Sequence, residues 1–172
     1  GMPTAGGGMR TAELTLPGFH HDVCAAAHPM GVLSPYLRTL PLERHGLVWD
    51  AGSASVAHPF VDGPAALLRR SLDATTEELG PDAATYGKLV RPFLKDPEGF
   101  LSDALAPLRL PKHPLTMLRF GLLGLRSAVG LGKRFEGERA KALLAGCAAH
   151  SVLSLDMPMT GALGLVFLIT AH

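Results

Sequence analysis

Over the first seventy residues the apolar positions come in short runs broken by Pro, Gly and His. Thr11-Ala12-Glu13-Leu14-Thr15-Leu16 alternates polar and apolar and stops at Pro17-Gly18, the pattern of a strand running into a turn. Leu47-Val48-Trp49 and Ser55-Val56-Ala57-His58-Pro59-Phe60 are further short strand candidates on either side of the turn-prone residues 50–53. Residues 65–70 fit a strand or the lead-in to a helix equally, because so short a run carries no period. From Ser71 the character becomes helical. Ser71 is placed to N-cap the segment opening Leu72-Asp73-Ala74, and Gly80 to close it. Pro81-Asp82 restarts a helix through Leu89 and Val90, with proline in the first turn, where its missing N–H costs nothing.

Pro92 and Pro97 restrict the next pieces of chain to short turns, and Pro107, Pro111 and Pro114 make a stiff connector. The longest helix is then predicted over 115–131 and a second over 136–151. Its small residues Ala140, Ala142, Ala145, Gly146, Ala148 and Ala149 admit a closely approaching backbone. The last helix, 159–171, is apolar nearly all round, and such a helix is buried on every side, in its own chain or against a partner. The predicted fold is α+β and helix-dominated, a single domain over residues 1–172. In it a small mixed or antiparallel sheet from a strand- and loop-rich part (12–70) packs against a helical part (71–172).

Composition narrows the function classes. At 172 residues with 47% apolar and 18% charged side chains, the chain is long and greasy enough to bury a core. A formal net charge of +1 gives no field to attract nucleic acid or an anionic membrane. Cys24 and Cys147 have neither metal-site spacing nor disulfide-scaffold density, which points to free thiols in a reducing cytoplasm. Gly1 before Met2 reads as a residue left by tag removal, and without a cationic stretch, apolar run and small-residue cleavage site after it no secretory leader is expected. The greasiest stretch, 160–171, is too short to span a bilayer, so no transmembrane segment is expected.

Candidate chemistry is sparse. Gly6-Gly7-Gly8 would let a backbone approach a ligand where any Cβ clashes, with Arg10 at hand for phosphate; the plainer reading is a mobile terminal tail. No G-x-G-x-x-G follows a strand, and Gly132-Lys133 lacks the rest of a P-loop. His20, His21, Asp22 and His28 cluster in sequence, with His20 and Asp22 on one face of an extended strand, but two convergent ligands fall short of a metal site. No metal site is assigned. Ser34, Ser53, Ser55 and Ser71 lack a nucleophile elbow, and nothing around Asp50 and Asp62 argues for a carboxylate pair. No catalytic residue is assigned. Leu115, Leu118, Leu122, Leu125 and Val129 form a helical stripe that suits the wall of an apolar ligand tunnel and, more simply, a core-facing side. Lys133, Arg134, Arg139 and Lys141 read as a solvated face.

The segment Gly6-Gly7-Gly8-Met9-Arg10-Thr11-Ala12-Glu13-Leu14, followed by Leu16-Pro17-Gly18-Phe19-His20-His21-Asp22, resembles a flavin-contacting segment of the phytoene desaturase-like, FAD-dependent oxidoreductases. The likeness continues through Ser34-Pro35, Leu40-Pro41-Leu42-Glu43-Arg44-His45-Gly46-Leu47-Val48-Trp49 and Ala57-His58-Pro59. It runs on through Pro107-Leu108-Arg109-Leu110-Pro111, Gly137-Glu138-Arg139-Ala140-Lys141-Ala142-Leu143 and Ala148-Ala149-His150-Ser151. The resemblance implies that Gly6, Gly7, Gly8, Arg10 and Thr11 pass along FAD and its diphosphate, and that the later helices help enclose a long polyene or other isoprenoid-like substrate. In that family a nucleotide-binding βαβ unit precedes such a segment and a further glycine-rich flavin segment comes later. The chain is therefore expected to be a truncated oxidoreductase, its substrate-domain portion, neither retaining FAD nor catalytic on its own. The alternative is a non-catalytic module for an apolar ligand, or a subunit completing a flavoenzyme in trans. Apolar surface left by the truncation is expected to pair two copies as a homodimer, with the C-terminal helix contributing.

Overall fold

The computed structural model describes residues 6–24, 28–50, 52–107 and 109–172. The Gly1-Met2 start, Ala51 of the turn-prone segment and Leu108 of the Pro107–Pro111 motif lie outside them. The fold is α+β and helix-dominated, with its strands in two separate antiparallel hairpins. By internal contacts the chain forms two compact units, Gly1–Leu47 and Val48–His172.

In the first unit, β1 (Thr11–Glu13) and β2 (His20–Asp22) pair Thr11 with Asp22, Ala12 with His21 and Glu13 with His20. The alternating run and its Pro17-Gly18 stop thus form a hairpin, with Gly18 turning at φ +84°. A short helix α1 (Pro29–Leu33) and two 3-10 turns, Leu37–Thr39 and Leu42–His45, come next. No described side chain of this unit is fully buried. Leu47-Val48-Trp49 forms no strand, and Val48 stands 82% exposed: three apolar residues without a pairing partner do not hold an extended ladder.

The second unit carries the core. Its hairpin is β3 (Val56–His58) with β4 (Ala66–Leu68), where Ala66 and Leu68 point inward at the strand period of two and pack on the helix that follows Gly137. Side-chain burial on one face therefore resolves the ambiguous 65–70 as a strand. Helix α2 (Leu72–Glu77) begins where expected, with the Ser71 hydroxyl accepting the Ala74 N–H at 3.3 Å, and Gly80 turns the chain at φ +55°. Helix α3 (Ala83–Val90) comes after Pro81-Asp82.

Two expectations are corrected. Pro97 does not confine its surroundings to a turn; it opens α4 (Pro97–Ala104), in which Asp96 accepts the Gly99 N–H at 2.8 Å and proline occupies the first turn. The helix expected over 115–131 is two, α5 (Pro114–Gly124) and α6 (Ala128–Gly132). Ser127 between them is extended and caps the second through the Gly130 N–H at 3.0 Å, so the break is a new N-terminus.

Helices α7 (Glu138–Ala149) and α8 (Thr160–Thr170) form the central pair. A Cβ at Gly164 would lie 3.1 Å from that of Ala148, so the small residues of α7 do admit a neighbouring backbone. None of the residues of α8 is exposed. Its all-round apolar character is satisfied within its own chain, chiefly by α7 and α5, which leaves it little surface for a partner. Among the described residues no helix is long and apolar enough to cross a membrane.

Candidate functional site

Helix α5 is apolar on more sides than the core can use. Leu123 and Gly124 face inward, Gly124 so near α8 that a Cβ there would come 3.0 Å from that of Ala162. With that face fixed, Leu115, Leu118 and Leu122 are turned outward, at 81%, 60% and 64% exposure, and Leu125 and Val129 are exposed after them. The stripe that reads most simply as a core face is thus an outer wall.

A groove of about 790 Å³ runs along that wall. Leu115, Leu118 and Leu122 of α5, Leu89 of α3, Phe93 and Phe135 line it. Its backing is rigid: Phe93, Phe100 and Phe120 pack ring on ring, with centroids 5.0–6.3 Å apart. Edge-to-face and tilted rings of this kind hold α4 and α5 together behind the groove. Four cations also line it, Lys88, Arg119, Arg126 and Arg134, and no acidic side chain does. Arg119 bridges the walls by donating from Nη2 to the Lys88 carbonyl at 2.8 Å. Among the described residues, Lys88, Arg126 and Arg134 make no ion pair with a carboxylate.

Three members of the basic cluster that reads as one solvated face, Arg134, Arg139 and Lys141, are placed differently. Arg134 lines the groove. Arg139 donates to the Ala65 carbonyl at 2.8 Å and meets Glu78 at 3.3 Å, and Glu78 also holds Arg69 at 2.6 Å. Lys141 pairs with Glu138 at 2.9 Å. Sequence pattern does not single out Lys88, Arg119 and Arg126, although Arg119 and Arg126 fall four and eight residues after Leu115 and Leu118, beside the same stripe.

The glycine segment belongs to the other unit. Gly6, Gly7 and Gly8 form a turn closed by the Met9 N–H on the Gly6 carbonyl at 2.9 Å, with Gly6 and Gly7 at φ +105° and +57°. Arg10 and Thr11 lead directly into β1, so the five residues do lie together. Their fit to an FAD diphosphate is poor. The Thr11 hydroxyl donates to the Asp22 carboxylate at 3.2 Å, and that negative charge would face an anionic ligand. The turn also feeds an antiparallel strand, and not the helix N-terminus that gathers N–H donors around phosphate.

The histidine group of the same hairpin does not converge. His20 and Asp22 share an exposed face, His20 lying 3.9 Å from Glu13, while His21 meets the Thr15 hydroxyl at 2.8 Å on the other. Among the described residues no group of three or more His, Cys, Asp or Glu is placed to hold a metal ion. Asp50 and Asp62 are both exposed.

The shifted groups lie outside the groove, on β3, α3, α4, α7 and at the C-terminus. Burial raises the Cys147 thiol to about 11 and drives the Tyr86 hydroxyl far above its usual value. Tyr86 meets His172 Nε2 at 3.0 Å. Burial lowers His58, whose Nε2 is buried without a partner, and burial lowers His172 against the opposing pull of the Arg69 and Arg70 backbone. Burial works to raise the Asp103 carboxyl, but the N–H groups of Lys112 and His113 and the His113 ring outweigh it and hold it low. None of them lines the groove. No family model, curated protein or solved structure matches the chain.

Proposed function

We propose that the groove beside α5 receives an elongated apolar molecule, and that the chain is the substrate-domain portion of an FAD-dependent oxidoreductase related to phytoene dehydrogenase, not catalytic on its own. The observation that carries this reading is the outward-facing row Leu115, Leu118 and Leu122 set against Leu89 and Phe93. A polyene offers no hydrogen-bonding group, so a site for one must work by apolar area, at about 25 cal/mol for each Å² removed from water. Hydride chemistry in this class is the flavin's. Because the Gly6–Gly8 turn makes a poor diphosphate cradle, the reading assigns FAD to a nucleotide-binding unit other than the elements described.

A non-catalytic apolar-ligand module, or a subunit completing a flavoenzyme in trans, is favoured by a separate fact: every residue lining the groove belongs to Val48–His172, so its shape needs no flavin. The homodimer is part of the same proposal, with a changed contact. Leu125, Val129, Met157 and Met159 are exposed, and the two segments are joined by the Met159 N–H on the Leu125 carbonyl at 3.3 Å. That patch, and not α8, is the surface a second copy would cover. A cytoplasmic setting accords with free Cys24 and Cys147.

The absorption spectrum of purified protein, followed by titration with a long polyene, tests the reading. The expected result is polyene binding with a band shift, lost in Leu118→Asp, and no flavin bands. Flavin at one equivalent would overturn the claim that the chain does not hold its cofactor; polyene binding unaffected by Leu118→Asp would overturn the groove.

A further inference from the structure

The groove has more charge than a hydrocarbon ligand explains. Lys88 stands on α3, Arg119 and Arg126 along and just beyond α5, and Arg134 after α6, with no carboxylate among the lining side chains. The chain as a whole carries a net charge of only +1, with 15 acidic residues to 16 basic, so four lining cations without an acid is a local excess. Elsewhere in the same unit four of the five arginines are answered, Arg69 and Arg139 by Glu78, Arg91 by Asp73 at 2.8 Å and Arg109 by Asp103 at 3.8 Å, and only Arg70 is without a carboxylate among the described residues. Lys88, Arg126 and Arg134 are answered by no carboxylate among the described residues.

From this charge complementarity we infer that the groove binds a single-chain amphiphile with a phosphate-type head, its tail along Leu115, Leu118 and Leu122 and its head among Arg126, Arg134, Arg119 and Lys88. Guanidinium groups match the geometry and charge of phosphate through paired N–H donors, and three of the four cations are arginines. A volume of about 790 Å³ is within the range of sites that enclose one small molecule. The inference rests on the groove being a ligand site, as proposed above, but not on any kinship with flavoenzymes.

The test compares dodecyl phosphate, 1-dodecanol and inorganic phosphate by calorimetric titration of the whole chain below micelle formation. The expected order is dodecyl phosphate tightest, the alcohol weaker and inorganic phosphate weakest. Added salt should weaken only the phosphate ester, through screening of its head. Arg126→Gln with Arg134→Gln should lower dodecyl phosphate affinity about ten-fold or more and leave the alcohol unchanged. Leu118→Asp should weaken both. All three substituted residues are exposed, and unchanged circular dichroism would confirm that the variants fold. Equal affinity for ester and alcohol would overturn the anionic head while leaving an apolar site. Binding of neither would overturn both. Sedimentation with phosphatidylserine vesicles but no binding of monomeric dodecyl phosphate would also overturn it, in favour of a membrane-facing surface.

Discussion

At the scale of single residues, two helix-terminal glycines do different things. Gly161 opens α8, where an added Cβ would stand 2.7 Å from both the Arg126 carbonyl oxygen and Leu131 Cδ1. The carbonyl also accepts the Gly161 N–H at 3.1 Å, so it has no freedom to retreat. Gly132, at the end of α6, has nothing within 4 Å of its would-be Cβ. Gly161→Ala should cost about 1–3 kcal/mol, as overpacking does, whereas Gly132→Ala should be neutral or gain up to about 1 kcal/mol from a stiffer unfolded chain. Urea unfolding of the pair measures the difference directly, and equal midpoints would refute the contact. Histidine burial makes a second prediction. His58 and His172 are held below their ordinary value of 6.5, so below that pH the unfolded chain takes up protons first. The stability these two histidines contribute should be full above about pH 7 and decline as the pH falls toward 5. His58→Gln or His172→Gln should each flatten this slope in thermal melts; unchanged slopes in both would show that other groups set it.

At the scale of elements, the legible parts were those whose signal is local. Ser71 and Gly80 carry their own cap and turn chemistry, and α8 declares its burial by being apolar on every side. Helix α5 shows the limit. With Leu115, Met117, Leu118, Phe120, Leu122, Leu123 and Leu125 around its circumference, periodicity cannot choose the inward face. The choice is made by α8 approaching at Gly124, a contact 38 residues away that no local pattern encodes. The groove was therefore half visible, as a stripe whose direction was open, and Lys88, Arg119 and Arg126 did not stand out until the direction was known. The start of α7 is the same lesson in polar form. Its N-cap position is Gly137, which has no side chain to cap with, and the buried Asp82 carboxylate supplies the bonds instead, accepting Glu136 N–H at 2.9 Å and Gly137 N–H at 2.7 Å. Asp82→Ala removes both acceptors and should destabilise by about 2 kcal/mol or more, with Asp82→Asn recovering part. A loss no greater than that of exposed Asp62→Ala, in the same denaturation assay, would contradict this.

At the scale of the molecule, the distribution of burial is lopsided. Each fully buried apolar side chain among the described residues lies between Ala66 and Ile169, including Tyr86, Phe93, Phe100, Leu143, Leu165 and Leu168. In Gly1–Leu47 no described residue is buried, and its hairpin is three residues a side. A segment that removes so little apolar surface from water cannot offset the conformational entropy of ordering its backbone, which is about 1–2 kcal/mol per residue. The second unit has the whole described core and all the groove. A chain of residues 48–172 alone should therefore keep the helical circular dichroism and a cooperative thermal transition within a few degrees of the full chain, and should bind the same amphiphile. A peptide of residues 1–47 alone should show no cooperative transition. Were the 48–172 chain to lose its transition, the first unit would have to contribute stability that its own burial does not account for. Retained folding with lost ligand binding would instead place part of the site in residues 1–47, against a groove whose lining begins at Thr85.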